Sequence, residues 1–178
     1  MAITQPQIQT PRLILRRPAL SDAKVIQQLA GAREIAQWTL TMPHPYPDGA
    51  AEAWIARHED DLQQDRAVHF AIAPLDERAL VGMLSLSLSL QHDRAEMGYW
   101  IGVPYWGRGY CTEAAAAVLG YGFETLGLHR VYANHFAGNT ASGRVMQKIG
   151  LKYEGTLRQH VKKWGQYLDM VSYGLTRE

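Results

Sequence analysis

The chain has 178 residues, of which 47% are hydrophobic and 20% charged, and 18 Lys and Arg against 17 Asp and Glu give a net charge of +1. This length predicts a single domain, residues 1–178, and the composition excludes a disordered or fibrous protein. The balanced charge argues against a dedicated nucleic-acid binder, so we expect no direct nucleic-acid partner.

Neither a targeting segment nor a metal motif stands out. The first residues, MAITQPQIQTPRL, contain no basic or apolar signal region, and no apolar run approaches the roughly 20 residues that span a bilayer. We therefore expect a cytoplasmic protein without membrane contact. One cysteine excludes an internal disulfide, and the seven histidines follow no HExxH or Cys/His ligand spacing, so we expect no metal.

The N-terminal part of the chain predicts a strand and then helices. RLILRR (12–17) predicts a half-buried strand, because Leu13 and Leu15 occupy alternate positions. SDAKVIQQLA predicts a helix capped by Ser21 or Asp22. A proline-rich loop then leads to a second predicted helix over 48–64, and VHFAIA predicts a short strand after it.

The remainder of the chain alternates strands with helices. VGMLSLSLSL (81–90) is the clearest strand, because its leucines and serines alternate; the leucines on one face are Leu84, Leu86, Leu88 and Leu90. AEMGYWIGV predicts the next strand. The later elements are a helix at about 112–126, a strand at 130–136, a helix at about 139–149, and strands at 152–161 and 167–175. This order predicts a mixed α/β domain of the α+β type.

The stretch YWGRGYCTEAAA (105–116) places two glycines directly before a predicted helix. A helix N-terminus offers unpaired N–H groups and the positive end of the helix dipole, and Gly107 and Gly109 allow an anion to approach them closely. A P-loop lysine is absent, and Thr112 stands where a dinucleotide motif needs a third glycine. On these residues alone, an anion cradle and a ligand-free glycine turn both remain open.

AEMGYWIGV, WGRGYC and NTASGRVMQKIGL together resemble the GCN5-related N-acetyltransferases (GNAT), most closely the branch that acetylates the N-termini of ribosomal proteins. The resemblance covers nearly the whole chain, from RLILR to YLDMVSYGL. It implies one domain with a mixed, mostly antiparallel sheet flanked by helices. That sheet splays open to admit the pantetheine arm of acetyl-CoA, the cofactor, and the glycine loop holds the pyrophosphate.

The loop departs from the general pattern of that family, Q/R-x-x-G-x-G/A. The corresponding positions here are Trp106, Gly109 and Cys111. Tryptophan at the first position fits the ribosomal-protein branch, whereas cysteine replaces a small glycine or alanine. We interpret Cys111 as a small buried residue, although a helix N-terminus can lower a thiol pKa and so leaves its modification open.

Two residues are candidates for the catalytic steps. Many relatives carry a tyrosine that protonates the CoA thiolate, but Met146 occupies that position, so the resemblance assigns the role to Ser142. Helical spacing places Ser142 on the inward stripe of its helix, where a bond back to its own helix is the alternative. Glu96 resembles the glutamate that acts as general base in related enzymes, and a purely structural carboxylate is the alternative.

The resemblance also assigns the residues that hold the cofactor. We expect a backbone N–H between Trp100 and Gly102 to polarise the thioester carbonyl. Asn139 is expected to bind pantetheine or to cap its helix. Arg108 and Arg144 are expected to contact the phosphates. Lys148 is a weaker phosphate candidate. The full set assigned to the cofactor is Trp100, Ile101, Gly102, Val103, Trp106, Gly107, Arg108, Gly109, Tyr110, Cys111, Thr112, Asn139, Ser142 and Arg144.

The acceptor is expected at the opposite mouth, near Trp38, His44, Tyr46 and Trp164. The basic run RQHVKKW predicts a solvated hairpin or a surface for an acidic peptide end. Three functions remain open: an acetyltransferase of a protein α-amino group, an acetyltransferase of small amines such as antibiotics, polyamines or amino acids, and a silent acyl-CoA-binding module. The protein is expected to be a monomer or homodimer.

Overall fold

The computed structural model describes residues 3–177. Its strands are β1 (Ile8–Gln9), β2 (Leu13–Arg16), β3 (Ala67–Pro74), β4 (Gly82–Ser89), β5 (Arg94–Ile101), β6 (Arg130–Phe136), β7 (Lys152–Lys163) and β8 (Gln166–Thr176). Its helices are α1 (Ala23–Ala30), α2 (Arg33–Ala36), α3 (Ala50–Ala56), α4 (His58–Gln63), α5 (Tyr110–Glu124) and α6 (Thr140–Lys148). Short 3-10 turns lie at Leu20–Asp22, Leu90–His92 and Val103–Tyr105.

All eight strands form one sheet in the order β1-β2-β3-β4-β5-β6-β8-β7. Neighbouring strands are antiparallel except β5 and β6, which run parallel. That parallel pair is short, because its register ends where Glu96 faces Tyr132. Beyond this point the two strands part. The mixed, mostly antiparallel and splayed sheet predicted from the sequence is therefore confirmed.

A hydrophobic core lies on each face of the sheet. In β4, Leu84 and Leu86 point toward α5 and join the larger core, whereas Met83 points to the other face and packs with Ile26 of α1 and Ile55 of α3. The alternation seen in the sequence thus separates the two faces. Ser85 and Ser87 lie on the face with Met83.

Two boundary predictions were wrong. The helix expected over 48–64 is two helices, because Arg57 donates its N–H to Trp54 three residues back and the turn tightens before α4 begins. The strand expected over 81–90 ends at Ser89, and Leu90 lies in a 3-10 turn, exposed rather than on the buried face.

Of the two predicted caps of α1, Ser21 and Asp22, Asp22 occupies the N-cap position, but its side chain makes no hydrogen bond to the first turn of the helix. Its carboxylate accepts hydrogen bonds from the Ala19 N–H (2.8 Å) and from the Arg16 guanidinium (2.7 and 2.8 Å). It therefore closes the 3-10 turn before the helix. No helix within residues 3–177 has the length and apolar character needed to cross a bilayer.

Candidate active site

The glycine loop connects β5 to α5 and leaves its backbone donors free. Gly107 and Gly109 have φ values of +75° and +79°, in the left-handed region that favours glycine. Across the part of the chain that the structure describes, the N–H groups from Arg108 to Thr112 have no hydrogen-bond partner. Consecutive free donors at the positive end of a 15-residue helix form a site for an anion.

The residues just before β2 hold this loop in place. The Arg12 guanidinium donates to the Arg108 carbonyl (2.9 Å) and to the Glu113 carboxylate (2.7 Å). Thr10 donates to the same carboxylate at 2.6 Å. Burial opposes ionisation of Glu113, but the hydrogen bonds from Thr10 and Arg12 outweigh it and lower the pKa. This contact was not predictable, because no periodic pattern connects residues 12 and 113.

The end of β5 anchors the loop from the other side. The Trp106 indole donates to the Ile101 carbonyl at 2.6 Å, and the Gly102 N–H donates to the Val81 carbonyl at 2.8 Å. Gly102 is therefore not a free donor, which corrects part of the stretch expected to polarise the thioester carbonyl. In an antiparallel pair, the N–H groups of successive residues point alternately toward the partner strand and away from it. The N–H of Trp100 therefore also points toward β4, whereas the N–H groups of Tyr99 and Ile101 point toward the opening.

Ser142 contacts the sheet and not its own helix. Its hydroxyl lies 2.9 Å from the Tyr99 hydroxyl, which also reaches the Ser142 carbonyl at 3.1 Å. The Asn139 amide oxygen accepts the Ser142 N–H at 3.2 Å and so caps α6. Burial raises the pKa of Tyr99 and nearby Cys111 adds to this, against the opposing effect of the Ser142 hydrogen bond.

Sequence reasoning missed Tyr99 as a functional candidate. The sequence did contain a signal for it, because Tyr99 lies on the same buried face of β5 as Met97 and Ile101. A tyrosine on that face must direct its hydroxyl into an apolar core. Such hydroxyls usually find a partner, which here is Ser142. A protonated tyrosine thus reaches the site from β5, while Met146 occupies the position on α6 where relatives carry one.

Cys111 is not an activated thiol in this structure. Burial raises its pKa to about 12, which agrees with the interpretation of Cys111 as a small buried residue and outweighs the lowering that a helix N-terminus can cause. We expect Cys111→Ala to keep kcat within about threefold, because a thiol that stays protonated is a poor nucleophile. Intact-mass measurement should show slow alkylation by iodoacetamide at pH 7.5. A trapped acetyl-cysteine would contradict this prediction.

Glu96 lies at the point where β5 and β6 part. Its carboxylate accepts hydrogen bonds from the Asn134 amide (2.9 Å) and from the Tyr132 hydroxyl (3.5 Å). Strand alternation directs Glu96 to the face opposite Tyr99. The two candidate catalytic residues, Glu96 and Ser142, are therefore at opposite ends of one opening through the sheet.

A cavity of about 810 Å³ extends through this opening. It brings together Glu96, the exposed Trp38, and most of the residues assigned to the cofactor, which are Trp100, Ile101, Trp106, Gly107, Gly109, Tyr110, Cys111, Thr112, Asn139, Ser142 and Arg144. Gly102, Val103 and Arg108 do not line it. The Arg108 guanidinium instead contacts the Pro104 carbonyl at 3.3 Å and lies 5.4 Å from the centre of the Tyr105 ring.

The other acceptor candidates separate into two groups. Tyr46 lines a neighbouring cavity, while the rings of His44 and Trp164 lie 5.9 Å apart and line neither one. The basic run is not entirely a solvated hairpin, because Lys163 is buried and donates to the carbonyls of Leu40 (3.4 Å) and Met42 (3.2 Å). Lys163 therefore ties the β7–β8 hairpin to the loop before α3.

A parallel strand pair that parts beside a donor-rich glycine loop defines the class of acyl-CoA-dependent N-acetyltransferases. The profile of the acetyltransferase (GNAT) domain matches residues 12–152. The chain belongs to the GNAT family and is an N-acetyltransferase, as its sequence predicted. Acetyl-CoA is the acetyl donor of this family.

Similar proteins agree with this assignment. The uncharacterized N-acetyltransferase YoaA of Bacillus subtilis (strain 168) is 31% identical, over 97% of each chain. The ribosomal protein uS5-alanine N-acetyltransferase of Escherichia coli (strain K12) is 29% identical, over 75% of this chain and 69% of that protein. A structure of RimL, a ribosomal L7/L12 α-N-protein acetyltransferase in complex with coenzyme A, has a TM-score of 0.88 at 19% identity, over 96% of this chain and 98% of that one.

Proposed function

We propose that this protein transfers the acetyl group of acetyl-CoA to the α-amino group of a protein N-terminus. The observation that carries the proposal is one cavity that joins the free N–H groups of Gly109–Thr112 to Glu96 on the other face of the sheet. Acetyl-CoA and the acceptor protein then approach from opposite sides of the sheet. Trp38 and Leu40 are exposed near the acceptor end, which fits a polypeptide better than an enclosed small molecule.

The residues around the opening fit acetyl-CoA. The N–H groups of the glycine loop would hold the pyrophosphate, and Arg144 lies on the cavity wall, where it could meet a phosphate. The amide oxygen of Asn139 caps α6, and its N–H₂ group has no partner among residues 3–177, so it is available to pantetheine. The bound cofactor supplies an activated thioester and a thiolate leaving group. The Ile101 N–H would polarise the carbonyl.

The protons of the reaction are assigned to two groups. An α-ammonium must lose a proton before it can attack, and Glu96 at the acceptor end is positioned to take it. The paired hydroxyls of Ser142 and Tyr99 at the other end would give a proton to the departing sulfur. The raised pKa of Tyr99 keeps that hydroxyl protonated at neutral pH.

Glu96→Gln is expected to lose activity mainly at low pH. A base matters most where the acceptor is protonated, and an α-amino group has a pKa of about 8. We expect about a 100-fold loss of kcat/KM at pH 6.5 and partial recovery at pH 9. Rates from pH 6 to 9 test this. Loss by the same factor at every pH would indicate that Glu96 acts only as a structural partner of Asn134.

A second candidate acceptor, a small amine, is separated from a protein N-terminus by a panel experiment. Release of CoA thiol would be followed with peptides of different N-termini, with N-acetylated copies of those peptides as controls, and with spermidine and aminoglycosides. The proposal expects kcat/KM for the best peptide to exceed that of any small amine by at least about tenfold. Turnover confined to small amines would overturn it.

A further inference from the structure

A second cavity adjoins the first on the face of the sheet that carries Glu96. It measures about 670 Å³ and shares Ser85, Gly98 and Trp100 with the first cavity. Gly98 lies at the junction and has no side chain to fill it, and a Cβ there would be in ordinary van der Waals contact with the Ser85 hydroxyl at 3.6 Å. The two cavities therefore meet at residues that they share.

The walls of the second cavity are more apolar than polar, and their polar part includes the hydroxyls of Thr39, Thr41, Ser85 and Ser87. The walls come from α1, α3, β4, β5 and the loop before α3, and include Ile26, Met42, Tyr46, Trp54, Met83 and Trp100. Among its lining residues in the described part of the chain, Arg57 alone carries a fixed charge, and none is a carboxylate. A second ammonium on the acceptor would meet no carboxylate among these residues, which disfavours polyamines.

His69 lines this cavity without adding charge. It is 9% exposed, its ring stacks on His58 at 3.9 Å, and its Nε2 lies 3.3 Å from the Asp61 carboxylate. Burial lowers the pKa of His69, an effect that Asp61 opposes and Arg57 reinforces. Burial also lowers the pKa of His58 to about 3. Both imidazoles are therefore neutral at physiological pH, and His69 adds no charge to the wall of the cavity.

We infer that the second cavity receives a large apolar group attached next to the acceptor amine. The inference rests on the proposed function, under which this group is the side chain of the first residue of the acceptor protein. The side chain of alanine or serine would leave most of the cavity empty. A phenylalanine, leucine or methionine side chain would pack against Trp54 and Met83.

The test compares peptides that differ only in the first residue, Phe, Leu or Met against Ala or Ser. An apolar site changes kcat/KM by about 10-fold or more for each methylene it discriminates, so we expect the Phe peptide to exceed the Ala peptide by at least about tenfold. Ala50→Phe would fill the cavity from the first residue of α3, and it should bring that ratio to about one or below.

Ala53→Phe is the matched control, because Ala53 lies on the exposed side of the same helix and lines neither cavity. It should keep the wild-type ratio. Acetyl-CoA binding and thermal unfolding show that both variants are folded.

The outcomes separate the inference from the proposed function. Equal or faster turnover of the Ala and Ser peptides, or an unchanged ratio in folded Ala50→Phe, would overturn the inference and leave a protein acceptor in place. If no peptide reacts but phenethylamine is acetylated at least tenfold faster than ethylamine, the cavity assignment is supported and the protein acceptor is overturned.

Discussion

Gly109→Val is expected to weaken acetyl-CoA binding by about 100-fold or more. The φ of +79° at Gly109 is strained for a β-branched residue, and an added Cβ would lie 3.3 Å from the Arg12 guanidinium. Both effects displace the loop that carries the free N–H groups from Arg108 to Thr112. Each hydrogen bond to a charged group contributes about 1.5–3 kcal/mol, so losing two of them accounts for the expected change.

Gly127→Val is the matched control for this variant. Gly127 has a φ of +66° and is exposed in the connection between α5 and β6. Among residues 3–177, apart from Gly127 and its two chain neighbours, no atom lies within 4 Å of a Cβ built there. The backbone strain is similar, but the cofactor cavity is not touched. Calorimetric titration with acetyl-CoA, with thermal unfolding in parallel, compares the two. Wild-type affinity in a folded Gly109→Val protein would show that the pyrophosphate binds elsewhere.

Ser142→Ala and Tyr99→Phe are each expected to lower kcat by about 10²- to 10⁴-fold, with the acetyl-CoA Kd changed by less than about threefold. Each substitution removes one hydroxyl of the pair joined at 2.9 Å and keeps most of the side-chain volume. Because the two hydroxyls act together, the double variant should be little slower than either single one. Steady-state rates and titration of the cofactor measure these quantities.

Tyr173→Phe is a control for loss of a buried tyrosine hydroxyl. Tyr173 is buried on β8, and its hydroxyl accepts a hydrogen bond from Gln147 of α6 at 3.1 Å, outside the cavity. It should retain kcat within about threefold. Wild-type kcat in both Ser142→Ala and Tyr99→Phe would remove these residues from the chemistry and leave positioning of the reactants to account for the rate.

Much of the fold was predictable because its signals are local. Alternation in VGMLSLSLSL gave the two faces of β4, and the glycines before a helix gave the loop that leads into α5. The break at Arg57 was not predictable, since the helical pattern continues across it. The Trp54 and His58 rings pack there at 4.3 Å, and His58 stacks on β3 through His69, a tertiary contact that no local pattern contains.

The candidate site was predictable where one segment supplies it. The residues from Trp106 to Thr112 follow one another in the chain, and most of them line one cavity. Tyr99 and Ser142 are 43 positions apart in the chain, and Arg12 and Glu113 are 101 positions apart. Only the folded sheet brings the members of each pair together. Similarly, the second cavity depends on the separate elements that contribute Ile26, Trp54 and Met83.

The parting of β5 and β6 gives the middle of the sheet two unpaired strand edges, a feature that proteins usually confine to the rim and protect. Until a ligand covers them, these edges are available to any extended segment. A ligand that binds only the folded chain adds about 2.7 kcal/mol of stability at 100 times its Kd. The acetyl-CoA concentration that governs turnover therefore also governs how long the folded chain survives proteolysis and aggregation.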